Sequence, residues 1–251
     1  MTISAGIDIG SSTIKFVIIE NGAIKRWEVA PSASQPLSSV NALLGTIDSK
    51  VPLVATGYGR ELLASNRSVS TISEIKAHAL GARFLFPACR SIIDIGGQDV
   101  KAISLDASGR VARFEMNDRC AAGTGRFLEV MAARLNCPLE MFSSSALKGK
   151  DTVKISSICT VFAESEIIGL LNRGCSSGDI SRALHWSVVR RIHTMFSRVD
   201  AIGPTVITGG GAKNIALVHL FGDLLESDMF SSEYSHIAGA IGCAVSAVSS
   251  S

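Results

Sequence analysis

The sequence predicts an α/β protein made of two similar lobes that face each other across a cleft. A unit of strand, Gly-rich turn and strand opens the chain, and the same unit starts again at residue 91 with SIIDIGGQDVKAISL. A third Gly-rich turn, Gly209-Gly210-Gly211, follows another strand-like run. Apolar residues make up 47% of the 251 residues, which is enough for a packed core in one large or two small domains.

Composition excludes several classes of protein. The net charge is +2 with both signs interspersed, and no basic run alternates with aromatic residues as in a nucleic-acid-binding surface. No apolar stretch approaches the ~18–20 residues that cross a bilayer. The segment MTISAGIDIG lacks the basic region that precedes the apolar part of an export signal, and the six cysteines lack the dense spacing of a disulfide scaffold. We therefore expect a cytoplasmic protein with reduced thiols.

The first lobe is predicted to begin with three strands, at residues 3–9, 13–20 and 23–30. Between the second and third strands, Asn21-Gly22 is a dipeptide that two-residue hairpin turns prefer. Apolar residues recur at helical spacing over 71–86. A helix near 38–48 and a strand at 51–56, which leads into the turn Gly57-Tyr58-Gly59, complete this half.

The second unit aligns with the first residue by residue through its first hairpin. Internal duplication of this kind indicates a fold built from two related halves. The predicted lobes are residues 1–87 and 88–251, with the last helix free to pack back on the first lobe. The matching pairs are Asp8 and Asp94, Gly10 and Gly96, and Lys15 and Lys101.

The second lobe carries additional helices. Helical spacing predicts a helix that follows Cys120 and runs to about residue 135, and another that begins after Cys159 and ends at Gly174. The remaining predicted features are a cap formed by Ser176 and Asp179, a core-facing stripe over 180–199, strands at 152–158 and 205–208, and helices at about 213–226 and 237–248.

Each DxG unit is a candidate phosphate-binding hairpin. Small residues let backbone N–H groups approach a phosphate, and hydroxyls add hydrogen-bond donors. A carboxylate at the strand end can hold a hydrated Mg²⁺ beside that phosphate. One DxG alone is weak evidence, because Gly after a strand is more often only a turn, but two copies in register are stronger. The predicted Mg²⁺ ligands are Asp8 and Asp94, and the predicted phosphate contacts are Gly10, Ser11, Ser12, Thr13, Gly96 and Gly97.

Four further polar residues are candidates for the same site. Gln98 is the candidate to orient an attacking water, as a polar and weakly basic side chain does in phosphoryl transfer. Lys15 either reaches the phosphates or remains a solvated strand residue. Glu74 and His78, one helical turn apart, either line the cleft or form a capped helix face.

The third Gly-rich turn, with Ala212 and Lys213 after it, is a candidate for the purine and ribose end of a nucleotide. Its other interpretation is a tight strand-to-helix connection. The chain lacks GxxxxGK[ST], and no GxGxxG follows a strand in a βαβ unit. Neither a P-loop nor a Rossmann dinucleotide site is therefore indicated.

Cys120 and Cys159 share one sequence setting, because each precedes a helical run. At a helix N-terminus, free backbone N–H groups and the helix dipole favour a thiolate or a bound anion. The other interpretation is a small buried apolar residue, which is common for cysteine, but two cysteines in the same setting weaken it. The remaining cysteines are predicted to be packing residues: Cys89, Cys137, Cys175 and Cys243.

The paired DxG hairpins and the late Gly-rich turn resemble the acetate and sugar kinase/Hsp70/actin superfamily, whose duplicated ribonuclease H-like lobes enclose a nucleotide cleft. Within it, NDRCAAGTGRFLE, SSICTVFAESE, IDIGGQD, ATGYGR and VITGGGAKN resemble the ATP-dependent activators of 2-hydroxyacyl-CoA dehydratases and benzoyl-CoA reductases, the BadF/BadG/BcrA/BcrD ATPase family. The resemblance covers essentially the whole chain. It implies a homodimer that shares one [4Fe–4S] cluster, with Cys120 and Cys159 of each subunit as its ligands.

The resemblance also implies ATP/ADP and Mg²⁺ as cofactors and an ATPase coupled to electron transfer. The implied electron acceptor is a 2-hydroxyacyl-CoA dehydratase, an aromatic-CoA reductase or a double-cubane-cluster protein, and the implied donor is ferredoxin or flavodoxin. Three alternatives stay open. They are an N-acetylhexosamine-type kinase of the same superfamily, a non-catalytic actin-like assembly protein, and a cluster held within one chain by Cys120, Cys137, Cys159 and Cys175.

Overall fold

The computed structural model of the protein describes residues 2–32, 36–156 and 159–249. Within these ranges the strands form two five-stranded sheets. The first contains β1 (Ile3–Ile9), β2 (Thr13–Glu20), β3 (Ala23–Pro31), β4 (Leu53–Thr56) and β5 (Ser70–Thr71), and the second contains β6 (Ser91–Ile95), β7 (Val100–Leu105), β8 (Val111–Asn117), β9 (Thr205–Thr208) and β10 (Met229–Phe230). The α-helices of the same ranges are α1 (Pro36–Leu44), α2 (Arg60–Asn66), α3 (Glu74–Leu85), α4 (Gly125–Arg134), α5 (Leu139–Lys148), α6 (Thr160–Asn172), α7 (Ser177–Phe196), α8 (Ile215–Leu225) and α9 (Ala238–Ser249). None of these helices is long and apolar enough to cross a membrane.

The two sheets share one topology, which explains why the repeat is visible in the sequence. The first has the strand order β3-β2-β1-β4-β5, and the second has the corresponding order β8-β7-β6-β9-β10. Each starts as an antiparallel meander of three strands. The leading strand then pairs in parallel with a later one, β1 with β4 and β6 with β9. The predicted α/β fold with duplicated halves is confirmed.

The hairpin between β2 and β3 shows how local sequence fixes this topology. Asn21 and Gly22 have φ angles of 51° and 79°. A type I′ turn needs these left-handed conformations, and Asn and Gly adopt them at little cost. β2 is largely buried, whereas exposed and half-buried residues alternate in β3, as expected for a strand at the sheet edge. The three strands predicted for this region are confirmed.

Helices α3 and α9 lie between the two sheets, and each packs on the sheet of the other half. α3 precedes the second half in the chain but packs on β6, β7 and β9, whereas α9 at the end of the chain packs on the first sheet. The two helices meet at glycines. A Cβ on Gly81 would lie 1.9 Å from the carbonyl oxygen of Ala238, and one on Gly242 would lie 1.8 Å from that of Ala77. These reciprocal contacts make α3 and α9 counterparts in the two halves.

The larger core belongs to the second half, where α4 to α8 pack over one face of the second sheet. The Ser176 side chain caps α7 by accepting a hydrogen bond from the Asp179 N–H at 3.1 Å, and Gly174 follows α6 with a φ of 76°. Both features are as predicted. The predicted core stripe is also confirmed, because its members are all buried: Ile180, Leu184, Val188, Ile192, Phe196 and Val199.

The predicted strand at 152–158 is wrong for residues 152–156, and its last two residues lie outside the described ranges. Val153 and Ile155 alternate as in a strand, but they pack into the helical core of the second half, and residues 152–156 pair with neither sheet. The Ser156 N–H donates to a carboxylate oxygen of Glu166 at 3.1 Å instead. The sequence prediction also lacks α2 and α5. It starts the later helix at about residue 213, whereas a short 3-10 helix covers Gly210–Lys213 and α8 begins at Ile215.

Candidate functional site

Asp8 and Asp94 lie near the ends of the leading strands of the two sheets. Each is paired in register with a lysine on the neighbouring strand, Asp8 with Lys15 and Asp94 with Lys101. In both pairs the lysine Nζ lies 3.2 Å from a carboxylate oxygen. The duplication has therefore repeated an ion pair as well as a backbone.

A second structural repeat, Thr-Gly-x-Gly, faces these ion pairs. Thr56-Gly57-Tyr58-Gly59 begins at the last residue of β4, and Thr208-Gly209-Gly210-Gly211 begins at the last residue of β9. Gly57 has a φ of 91° and Gly209 has a φ of 74°. A Cβ on these residues would lie 2.4 Å and 2.5 Å, respectively, from the carbonyl oxygens that end β1 and β6. Glycine is thus required at both positions, and the backbone of each turn lies close against the hairpin beside it.

Three side chains hold Asp94 in the buried floor of the cleft. One of its oxygens lies 3.2 Å from Lys101 Nζ. The other accepts a hydrogen bond from Thr208 Oγ1 at 3.1 Å and lies 3.2 Å from His78 Nδ1. Burial would raise the pKa of Asp94, but the interactions with His78, Lys101 and Thr208 outweigh it and lower the pKa below its ordinary value. Asp94 is therefore an oriented anion, which suits the binding of a hydrated cation.

Lys101 is a buried cation among three carboxylates. Its Nζ lies 2.5 Å from Asp99 and 2.9 Å from Glu74, in addition to the contact with Asp94. Burial lowers the pKa of a lysine, but the three anions together raise the pKa of Lys101 far above its ordinary value. The offset that matches Lys101 to Lys15 is the signal in the sequence that identifies Lys101 as a site residue.

Lys15 is less enclosed than Lys101. Its side chain is 17% exposed, against 2% for Lys101. Burial lowers the pKa of Lys15, but Asp8 with smaller help from Asp94 and Glu74 raises it above its ordinary value. Lys15 is therefore a permanent cation at the edge of the cleft.

The cleft between the two halves brings most of the predicted site residues together. The hairpins approach each other across it, since a Cβ on Gly97 would lie 2.5 Å from Ser12 Oγ. Glu74 and His78 reach the cleft from α3. The other predicted residues that line it are Asp8, Gly10, Ser11, Ser12, Thr13, Lys15, Asp94, Gly96, Gly97, Gly209, Gly210 and Gly211.

Some residues differ from the prediction in their relation to this cleft. Gln98 belongs to the second hairpin but is exposed, and neither it nor Ala212 and Lys213 of the short 3-10 helix lines the cleft. Eight other lining residues are not predicted as site residues, although most of them lie within the motifs quoted above. They are Tyr58, Asp99, Lys101, Gly125, Leu128, Glu129, Leu139 and Asn214.

The second hairpin is bonded directly to the start of α4. The N–H of Gly125 donates to the carbonyl oxygen of Gly96 at 2.9 Å, and the N–H of Arg126 donates to that of Gly97 at 2.9 Å. The first N–H groups of a helix have no partner within the helix, and here the hairpin carbonyls satisfy two of them. The second hairpin is therefore joined directly to the start of α4, at the end of the loop that precedes this helix.

Cys120 lies in that loop and not at the helix start, which corrects the prediction. α4 begins only at Gly125, because Gly123, with a φ of 87°, turns the chain after Cys120. The Asn117 side chain holds this loop by donating to the carbonyl oxygens of Cys120 at 2.9 Å and of Ala122 at 3.2 Å. The Cys120 side chain is exposed.

Cys159 is the N-cap residue of α6, as predicted, and it is also exposed. Cys89 and Cys243 are buried, and Cys137 and Cys175 pack against the core of the second half. Burial raises the pKa of the Cys89 thiol to about 11, so this thiol is protonated at neutral pH. Among the cysteines, Cys120 and Cys159 are thus the two with exposed side chains.

Two sheets of one topology, with paired Asp–Lys hairpins facing a common cleft, define the ATPase fold of the acetate and sugar kinase/Hsp70/actin superfamily. A ROK family glucokinase from Streptomyces griseus shares this fold alone, with a TM-score of 0.61 at 14% identity over 97% of this chain and 98% of that one. Within this superfamily, the chain can be assigned to one family. The chain matches the BadF/BadG/BcrA/BcrD ATPase family over residues 5–247, and it belongs to that family.

Three relatives are similar over nearly their whole length. The activator of lactoyl-CoA dehydratase from Anaerotignum propionicum is 41% identical over 96% of this chain and 95% of that protein. Component A of (R)-2-hydroxyglutaryl-CoA dehydratase from Acidaminococcus fermentans has a TM-score of 0.92 at 35% identity, covering 100% and 99% of the two chains. The activator of 2-hydroxyisocaproyl-CoA dehydratase from Clostridium difficile, with bound ADPNP, has a TM-score of 0.88 at 37% identity, covering 99% and 95%.

Proposed function

We propose that this protein is an ATP-hydrolysing activator that transfers a low-potential electron to a 2-hydroxyacyl-CoA dehydratase or a related reductase. The observation that carries the proposal is the direct hydrogen bonding between the second phosphate hairpin and α4, the helix that follows the Cys120 loop. This contact links the state of a nucleotide to the surroundings of a thiol. The family membership and the dehydratase activators among the relatives support the same function.

In this proposal the cleft holds ATP with its phosphates between the two hairpins. Asp8 and Asp94 hold a hydrated Mg²⁺, and the backbone N–H groups and hydroxyls of residues 10–13, 96 and 97 surround the phosphates. Lys15, at the edge of the cleft, adds a positive charge to the phosphate region. The side chain of Gln98 is exposed in the present conformation. For Gln98 to orient the attacking water, the hairpins must therefore close around the nucleotide. The purine and ribose lie at Gly209–Gly211, followed by Ala212 and Lys213.

The chemistry of the exposed cysteines fits a shared iron–sulfur cluster. A [4Fe–4S] cluster needs four thiolates, and Cys120 and Cys159 provide two exposed ones per chain. Bound there, the cluster would supply one-electron transfer at low potential. The Cys159 thiol stands at the N-terminus of α6, where the helix dipole stabilises negative charge. A homodimer is therefore the simplest assembly that completes the ligand set.

The surface beside Cys159 supports that homodimer. Val161 and Phe162 are 68% and 67% exposed, although both are large apolar residues at the start of α6. Exposed apolar residues grouped around a functional group are typical of protein interfaces. In the proposed dimer, two copies of this surface meet and bring the four thiols together.

The proposal extends to partners. The electron acceptor is a 2-hydroxyacyl-CoA dehydratase, an aromatic-CoA reductase or a double-cubane-cluster protein, and the donor is a ferredoxin or flavodoxin. Because reduced thiols and oxygen-labile clusters belong in a reducing compartment, we propose that the protein works in the cytoplasm. The kinase alternative rests on likeness of fold alone.

Anaerobic activation assays test this function. The protein is mixed with dithionite, Mg·ATP and, in separate reactions, the dehydratases of lactoyl-CoA, 2-hydroxyisocaproyl-CoA and 2-hydroxyglutaryl-CoA. We expect ATP-dependent dehydration with at least one of them. Cys159→Ser should still bind ATP but lose activation, whereas Cys175→Ser should keep both. ATP turnover that needs a sugar acceptor, or ATP-dependent filaments, would contradict the proposal.

A further inference from the structure

A chain of buried hydrogen bonds fixes the side chain of Asn214, the N-cap residue of α8, which follows the short 3-10 helix of the third Gly-rich turn. Asn214 lines the cleft and is 8% exposed. Its Oδ1 accepts hydrogen bonds from Leu217 N at 3.1 Å and from Ser143 Oγ at 2.8 Å. Its Nδ2 lies 3.0 Å from Nε2 of His185, a fully buried residue of α7. The side chain therefore joins α5, α7 and α8 at one end of the cleft.

The protonation of His185 follows from its partners. Nδ1 lies 2.7 Å from the carbonyl oxygen of Ser181, which can only accept, so Nδ1 carries the proton. Burial lowers the pKa of His185 to about 4, so the ring is neutral at pH 7. Nε2 is then a lone-pair acceptor. It accepts one N–H of Asn214, which agrees with the assignment of Asn214 Oδ1 as the acceptor from Leu217.

The reversed orientation of the Asn214 amide is unfavourable. It would place Oδ1 against the lone pair of His185 Nε2 and would turn the amide NH₂ toward the N–H of Leu217. Each change replaces a buried hydrogen bond with a contact between like groups and leaves both groups unsatisfied. The amide is therefore held in one orientation, and His185 is the group that decides it.

The hydrogen-bond inventory of Asn214 leaves one donor unused. Both contacts of Oδ1 and one contact of Nδ2 are made within the protein, and the second N–H of Nδ2 has no partner among the described residues. We propose that His185 is a positioning residue for the nucleoside end of the cleft, presenting this N–H of Asn214 to a hydrogen-bond acceptor on the nucleoside. The inference rests on the proposed binding of a nucleotide in the cleft, and it adds a residue outside the predicted site.

Calorimetric binding of Mg·ADP to the intact protein tests this role. His185→Leu removes the acceptor, whereas His185→Gln places an amide oxygen near the position of Nε2. We expect His185→Leu to weaken ADP binding about tenfold, as for loss of one positioned hydrogen bond, and His185→Gln to restore most of the affinity. His219→Gln, a change at the exposed histidine paired with Asp223 on α8, should leave the affinity unchanged.

Two further measurements separate positioning from simple loss of structure. Mg·pyrophosphate, which lacks the nucleoside, should bind equally well to the wild type and to His185→Leu. Asn214→Ser keeps an N-cap oxygen for α8 but removes the amide, so His185→Leu should cost nothing more in that background. Equal weakening of ADP and pyrophosphate binding, or equal loss in His185→Leu and His185→Gln, would overturn the inference. A wild type that binds pyrophosphate but no ADP would instead contradict the proposed function.

Discussion

The two Asp–Lys hairpins have the same register and the same 3.2 Å ion pair, yet their surroundings differ. In the second half, Asp94 and Lys101 form part of a buried network with residues of α3 and β9. In the first half, Lys15 is the one side chain recorded as an ion-pair partner of Asp8 among the described residues. The two halves thus contain two copies of one ion pair, and the second copy belongs to the larger buried network.

The helices between the sheets explain this difference. The reciprocal contacts match Ala77 and Gly81 of α3 with Ala238 and Gly242 of α9. On this match, Gly239 occupies the position in α9 that His78 occupies in α3. A Cβ on Gly239 would lie 3.1 Å from Asp8 and 3.1 Å from His78 Nε2. The side chain that braces Asp94 is therefore missing beside Asp8. We infer that the second hairpin is a rigid anchor and the first is the adaptable side of the cleft.

Removing the lysine from each hairpin should give the largest contrast between them. Lys101→Met leaves three carboxylates around a buried position, and the free energy of unfolding should fall by about 3–5 kcal/mol. Lys15→Met removes the partner of one carboxylate, at a lysine that is 17% exposed, so it should cost less, about 1.5–3 kcal/mol, and it should weaken ATP binding. Urea denaturation of both variants measures the difference. Equal losses of stability would contradict the division into an anchor and an adaptable side.

The glycine turns should respond equally, because there the two halves are alike. Gly57→Ala and Gly209→Ala each combine a positive φ with a Cβ clash against a strand carbonyl. We expect each to lower the free energy of unfolding by about 2–4 kcal/mol. Gly22→Ala, which has positive φ but no atom within 4 Å of the added Cβ, is the control and should cost less. A large inequality between the first two variants would show that the turns are not equivalent.

The threonines that begin these turns should give the smallest and most selective contrast. Thr208 Oγ1 donates to Asp94, whereas the equivalent Thr56 Oγ1 donates to the carbonyl oxygen of Ile72. Replacing either by valine should cost about 1 kcal/mol of stability. Only Thr208→Val should also lower ATP hydrolysis, because only Thr208 orients a site carboxylate. A loss of turnover of the same size in Thr56→Val would mean that both threonines act through general stability.

The sequence predicts the parts of the site that local pattern determines. The repeated DxG unit identifies both hairpins, and its register identifies Lys101 as the counterpart of Lys15. Glu74, His78 and Asn214 could not be assigned in the same way, because they come from helices that reach the cleft only after the halves exchange α3 and α9 or after α8 packs on α7. A contact between segments far apart in the chain leaves no periodicity in either segment.

The wrong predictions for residues 152–156 and for Cys120 also arise where local pattern does not determine the structure. Val153 and Ile155 alternate as strand residues do, but pattern alone does not tell whether a sheet edge or a helical core will receive them. The setting of Cys120 resembles that of Cys159 until Gly123 adopts a positive φ and delays the start of α4. Glycine permits that turn without requiring it.

Iron and acid-labile sulfide, measured per chain after strictly anaerobic purification, test the central claim most directly. A [4Fe–4S] cluster shared by two chains predicts about two irons and two sulfides per chain, with both lost in Cys120→Ala and in Cys159→Ala and both retained in Cys175→Ala. About four irons per chain, lost also in Cys175→Ala, would favour a cluster within one chain. Iron that persists in Cys120→Ala or Cys159→Ala, or its absence from the wild type, would contradict the account.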